Sequence, residues 1–266
     1  MLKKAFSLIE LSIAIMVISI LIVGFLNVSS GKGGNNKVKI TKDRIDVIYK
    51  SLGEFVLKNK RLPCPASIKA IKTSDVNYGI EGTAAGTCTA GTGVYLSTAT
   101  NATRMVYGMV PTKTLGLSSD YGEDDFGNKI AYIVDKDYTS STTFASANTV
   151  IIGQKYVNGA LTTDVGNAIY VLVSYGANQS GAFSAKTSNQ NAASSDVDEM
   201  YNYPTNFNDT AKTANFSQIL VKSTERSTVF DDIVHYRNRD DFLKDNNAGN
   251  LVNGNVTSNA NITSVP

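Results

Sequence analysis

The chain contains no tryptophan, one histidine, two cysteines and five prolines in 266 residues. Each shortage excludes something. With only His235, no histidine-rich metal site can form, and Cys64 and Cys88 alone cannot furnish a four-ligand zinc site. No Gly-x-Ser-x-Gly elbow places a serine nucleophile for His235, and neither cysteine has an assignable base. Glu123, Asp124 and Asp125 are adjacent, hence splayed, and read as a turn rather than an acid/base pair. Gly31, Gly33 and Gly34 follow no strand and lack the spacing of a phosphate loop. No basic stripe interleaved with aromatics is present, so nucleic acid is not an expected direct partner. The inventory points away from an enzyme: no catalytic residue, metal ligand or cofactor is assigned.

What is present is unevenly distributed. The composition, 42% hydrophobic and 18% charged, is that of a chain able to bury a core. Residues 1–62 carry eleven Lys/Arg against four Asp/Glu, and the remainder is net acidic. That basic excess surrounds an apolar run, a placement that suits lipid headgroups or acidic neighbours. After Lys3, Lys4 and the small Ala5, the 21 residues from Phe6 to Leu26 contain one charge, Glu10. As a helix this run is about 31 Å long, close to the hydrocarbon thickness of a bilayer. A carboxylate inside such a run is costly and marks a functional residue. An ordinary secretory signal, cut near Ser29-Ser30-Gly31, is the alternative reading.

Lys3-Lys4-Ala5-Phe6-Ser7-Leu8-Ile9-Glu10-Leu11, followed by an apolar helix, resembles the prepilin signature of type IV pilins and type II secretion pseudopilins. The resemblance implies cleavage between Ala5 and Phe6 by a dedicated peptidase, methylation of the new amine, and retention of the helix. Ala5 stands where the family usually has Gly. Glu10, four residues beyond Phe6, would neutralise the Phe6 amine of a neighbouring subunit, and a charge pair in low dielectric supplies register more surely than stability. The alternative for Glu10 is a residue snorkelling to the headgroups. Lys32, Lys37, Lys39, Lys42 and Arg44 outnumber Lys3 and Lys4, so the positive-inside rule taken alone would hold the C-terminal part in the cytoplasm. The resemblance implies export instead. It places the chain as a single-pass protein of the bacterial inner membrane, its C-terminal domain in the periplasm or outside in a filament.

In an exported chain the even pair Cys64 and Cys88 most simply forms a disulfide, clamping a Thr/Gly/Ala-rich segment poor in core formers. Arg61-Leu62-Pro63-Cys64-Pro65-Ala66 also resembles a subset of minor pilin-like proteins. Residues 28–37 read as a flexible break, with Asn27 where major pilins commonly carry a kinking proline. Ile45, Ile48, Tyr49, Leu52, Phe55 and Val56 then form one apolar stripe of an amphipathic helix over 38–62, and Pro63 and Pro65 end it. Strands are predicted at Met105–Val110, Lys129–Val134, Val150–Ile152, Ala168–Ser174 and Ile219–Val221. If Ile233-Val234-His235-Tyr236 is a strand, Ile233 and His235 share one face, and a lone histidine there reads as structural. Asp125-Phe126-Gly127-Asn128 and Ser174-Tyr175-Gly176-Ala177-Asn178 resemble two pseudopilin turns, Asn178 standing where the family has Asp. In major pseudopilins the second turn and a later Asp-Ile pair hold a calcium ion, and Asp231-Asp232-Ile233 could supply the pair. Read as residues alone, these stretches are solvated turns. Residues 184–215 read as a long surface loop or partner-binding insertion, and 245–266 as a loosely ordered tail.

The resemblance therefore implies an α+β, pilin-like ladle. A leader (1–5), a transmembrane and assembly helix (6–27), the break and the amphipathic helix precede a β-rich globular domain (63–244), whose antiparallel sheet packs on the helix. The implied function is that of a structural subunit, a minor pilin or pseudopilin of a type IV pilus-like or type II secretion filament. Its implied partners are other pilins or pseudopilins, the inner-membrane assembly platform, the prepilin peptidase and membrane lipid. A membrane-tethered periplasmic enzyme or binding protein with an uncleaved anchor is the alternative.

Overall fold

A computed structural model describes the backbone of residues 8–83, 88, 93–157, 160–222 and 230–248, with side chains from residue 34 onward. Helix α1 runs over Leu8–Asn59, 52 residues. Its apolar stripe has the period of a helix buried on one side: Ile45, Ile48, Leu52 and Val56 are buried, while Lys37, Lys39, Lys42, Asp43, Asp46 and Lys50 are exposed on the other side. The backbone stays helical through 28–37, where a break is expected. Three glycines weaken a helix by roughly 1 kcal/mol each, but no proline removes a backbone donor there. The helix ends where Lys60 takes a left-handed φ of 58°, its N–H donating to Val56 O at 2.8 Å, just ahead of Pro63.

Nine strands follow: β1 (Tyr95–Ser97), β2 (Met105–Met109), β3 (Ala131–Asp135), β4 (Ile151–Val157), β5 (Ala160–Ser174), β6 (Thr205–Asn208), β7 (Thr213–Asn215), β8 (Ile219–Lys222) and β9 (Ile233–Asn238). A short helix α2 (Arg239–Asp245) is capped by Asn238, whose side chain accepts from Asp241 N. The strands join in the order β6-β7-β1-β2-β3-β5-β4-β8, with β9 also on β5. The long β5 organises this arrangement. Its first half pairs with β4, and its second half lies between β3 and β9.

The expected ladle with an antiparallel sheet is corrected on two counts. The sheet is mixed, because β7 joins β1 and β8 joins β4 in parallel. Both strands arrive after connections far longer than a hairpin, as parallel pairing requires. Secondly, among the described residues no helix is long and apolar enough to cross a membrane. The single-pass span, and with it the inner-membrane placement, is withdrawn on that finding. From Lys37 onward α1 is charged along its outer face.

Strand β3 and the second half of β5, Ala168 to Ser174, are buried on both faces, alternating as the pleat dictates. Tyr132, Val134, Tyr170 and Leu172 meet Ile45, Ile48, Leu52 and Val56 of α1 in one core. Ala131, Ile133, Val171 and Val173 face a second core, closed by Ala182, Phe183, Tyr203, Ala214 and Phe216. The 184–215 stretch is therefore not a surface loop: it carries β6, β7 and a 3₁₀ turn, Glu199–Asn202, and roofs the sheet.

The disulfide is present, Cys64 to Cys88, with a Cα–Cα distance of 5.4 Å. Beside it Arg61 grips Glu81 with two hydrogen bonds of 2.8 and 2.9 Å, and Glu81 also accepts from Cys64 N. Of the tail, Asn246 to Ala248 are placed, Ala248 being buried; 249–266 lie outside the described residues.

Candidate functional site

Polar chemistry concentrates under the roof rather than on the helix side. Glu199 opens the 3₁₀ turn and is wholly buried; Asp231 and Asp232, just ahead of β9, are 4% and 3% exposed. One carboxylate oxygen from each residue lies within 4.8 Å of the others. Three chain segments converge to build this cluster.

The turn after β5 supplies one wall. Gly176 has φ +61°, and a Cβ there would fall on the Asp231 carboxylate, so only glycine lets the backbone pass so close. Asp231 Oδ2 accepts from Ala177 N at 2.6 Å and Asn178 N at 3.2 Å. Asn178 Nδ2 donates to Glu199 Oε1 at 2.7 Å, tying this turn to the roof. Asn202, at the end of the 3₁₀ turn, donates to Asp232 Oδ2 at 2.8 Å. It also brackets Val221 of β8, accepting from its N–H and donating to its carbonyl, both at 2.8 Å. The edge strand is thereby satisfied by a side chain where another strand would otherwise pair.

The electrostatics are one-sided. Burial pushes the Asp232 carboxyl well above the ordinary range; the Asn202 hydrogen bond opposes this, while the charges of Glu199 and Asp231 reinforce it. Glu199 and Asp232 enter no ion pair among the described residues, and Glu199 Oε2 and Asp232 Oδ1 are buried without a hydrogen-bond partner. Buried polar atoms are satisfied almost without exception. Two orphaned carboxylate oxygens facing a third carboxylate, with no soft ligand nearby, match the donor chemistry of calcium. Glu199, Asp231 and Asp232 are the residues that would hold such an ion. The resemblance suggests Asp231 and Asp232 as candidates, and both are buried, whereas Ala177 and Asn178 of the turn beside them are exposed, as a solvated turn would have them.

The other residues singled out from sequence fall elsewhere. Ala5 and Phe6 lie outside the described residues, as does the side chain of Glu10. The ring of His235 sits 5.2 Å from that of Tyr49, and its Nδ1 is 3.2 Å from Tyr170 Oη. No serine or cysteine is hydrogen-bonded to it among the described residues. Burial, aided by Arg237 and Lys222, lowers its pKa to about 4.

In the 124–128 turn the organising residue is Asp124, one position before the Asp125 picked out from the sequence. Its Oδ1 accepts from Phe126 N at 3.0 Å and Asn128 N at 2.9 Å, and its Oδ2 from Ser174 Oγ at 2.7 Å. Burial raises its carboxyl to about 6 against those donors. Lys129, fully buried, was missed altogether. Its Nζ donates to Ile68 O at 2.8 Å and Thr187 O at 3.0 Å, pinning two loops, and desolvation draws its pKa down to about 8.

Fold and site together define a helix-backed mixed sheet whose opposite face is roofed over a buried acidic cluster. No protein-family model, curated protein or solved structure matches this chain.

Proposed function

We propose that this chain is a structural subunit, of the minor pilin or pseudopilin kind, of a type IV pilus-like or type II secretion filament, and that it assembles through its N-terminal helix. The observation that carries the reading is the run Lys3 to Leu11, with charges and a small residue ahead of Phe6 and a lone Glu10 within the apolar stretch. Two features support it. Helix α1 is continuous from Leu8 to Asn59, so the stretch bearing Glu10 and the stripe packed on the sheet belong to one helix. The disulfide is the chemistry of an oxidising compartment. Its partners are then other pilin-like subunits, the assembly platform and the prepilin peptidase that cuts before Phe6.

Glu10 supplies the register in this reading, by neutralising a neighbour's Phe6 amine as the helices bundle. An unpaired buried charge costs about 3–5 kcal/mol, so Glu10→Ala should lower the ratio of subunit in sheared filaments to subunit in whole cells by at least about tenfold. The globular domain should keep its disulfide and its thermal midpoint. An unchanged ratio would show that Glu10 plays no part in assembly and would contradict the reading.

A further inference from the structure

We propose that the roof turn at residues 196–200 docks into a cleft beside α1 of a second copy of this chain, a contact between unlike surfaces that joins copies in open series. The inference stands on the folded domain and holds whether or not the filament reading does.

The turn is amphipathic in the wrong sense for a lone molecule. Met200 N donates to Asp196 O at 3.1 Å, closing one tight turn. The polar Glu199 and Asn202 are wholly buried, whereas Val197 and Met200 are 69% and 47% exposed. One exposed apolar side chain is ordinary. Two on a single turn, with the polar residues turned inward, make a knob of the kind that marks a docking surface. The knob is also acidic, because Asp196 and Asp198 flank Val197.

A cleft of about 430 Å³ opens between α1 and the 114–116 turn, its lining including Glu54, Phe55, Lys58, Leu115 and Gly116. It is braced. Glu81 binds Arg61, whose guanidinium stands 5.1 Å from the Phe55 ring, and Glu81 N donates to Thr114 Oγ1 at 2.8 Å, so one residue ties both walls. At Gly116, φ +72°, no atom lies within 4 Å of where a Cβ would stand. A preformed cleft of this size takes inserted side chains with little ordering cost.

Charge selects the occupant. Residues 34–60 carry seven Lys/Arg against three Asp/Glu, while the roof, 182–216, carries two Lys against four Asp/Glu. At the cleft itself Lys58, and Lys113 beside Thr114, outnumber the single Glu54. Helix and roof back opposite faces of the sheet. The basic side of one copy therefore meets the acidic side of the next, and each copy in a pair keeps one knob or one cleft free. Such a heterologous contact propagates rather than closing on two copies. Complementary charge sets the register, and Val197 with the unbranched, adaptable Met200 supplies the apolar anchor.

The test uses full-length chain in a neutral detergent, as an equal mixture of unlabelled and heavy-isotope-labelled protein, with the photo-crosslinking residue p-benzoylphenylalanine in place of Met200. Irradiation is expected to join residue 200 to residues 51–59 or 113–116 of the other isotope, in a ladder of dimers, trimers and longer products. Val197→Lys should lower the yield by about tenfold, by setting a cation against Lys58. Lys58→Glu alone should lower it as well, by facing the acidic knob. The two together should restore it to within about twofold of the unsubstituted chain, a recovery that no structural role of either exposed residue gives. Crosslinks mapped elsewhere, products that stop at dimers, no product between labelled and unlabelled chains, or no recovery in the double variant would each overturn the inference.

Discussion

The two faces of the sheet are closed in opposite ways. On one, a single regular helix lays Ile45, Ile48, Leu52 and Val56 against Tyr132, Val134, Tyr170 and Leu172, with few buried polar groups. On the other, irregular chain closes a tyrosine-rich core that includes Tyr107, Tyr175 and Tyr203, and traps Glu199, Asp231, Asp232 and Lys129 beneath it. The helix face is held by area removed from water, which is insensitive to detail. The roofed face is held by specific polar matches, and these fail when one partner is lost. A face of the first kind serves as a permanent scaffold, while one of the second kind can respond to its surroundings.

The largest effect should come from the helix face. Leu52, wholly buried, should cost about 2–5 kcal/mol when replaced by alanine, read as a shift in the denaturation midpoint at constant slope. The disulfide belongs to that same core. Its loop-closure contribution is about 3 kcal/mol for a segment of this length, so Cys64→Ala/Cys88→Ala should lower stability by about that much while α1 stays docked in hydrogen exchange.

A smaller loss is expected on the roofed side at Gly153. A Cβ there would lie 2.5 Å from Tyr236 Cζ, and the ring is held by a hydrogen bond from its hydroxyl to Asp164 at 3.0 Å. Gly153→Ala should therefore cost about 1–3 kcal/mol, typical of overpacking; a neutral outcome would show that the ring can move and the face is softer than described.

The last effect is electrostatic and vanishes at neutral pH. His235 has its pKa lowered to about 4 by burial and by Arg237 and Lys222, against Asp245. A base with a depressed folded-state pKa is protonated more readily when unfolded. Its contribution is therefore whole above about pH 6.5 and is lost as pH falls towards 4, by at most about 3 kcal/mol. As the chain has one histidine, its imidazole resonance can be followed without ambiguity. Titration near 6.5 in the folded protein would contradict the burial on which this rests.

The helix face was the legible one. Its stripe repeats with the helical period, and Met105–Met109, Ala131–Asp135, Ala160–Ser174 and Ile219–Lys222 contain the apolar runs from which strands are read. The sharing of one face by Ile233 and His235 followed from alternation alone. The roof was opaque for physical reasons. β6 and β7, of four and three residues, carry no periodic signal in a polar region, and they exist because long-range pairing holds them. Glu199 stands 32 positions before Asp231, with no local pattern linking the two. At Asp124 the error was one of register: the turn chemistry was visible, but the residue supplying it was taken one place late. Parallel pairing of β7 and β8 depends on where a long connection returns, which composition does not encode.

The central claim, that the chain is a filament subunit built on its N-terminal helix, is tested most directly at its first residue. Intact-mass and N-terminal mass spectrometry of protein from its native cells should find a mature chain beginning at Phe6, with a methylated amine. A mature start near Gly31 would mean that an ordinary secretory signal had been removed together with Glu10, and would contradict the account.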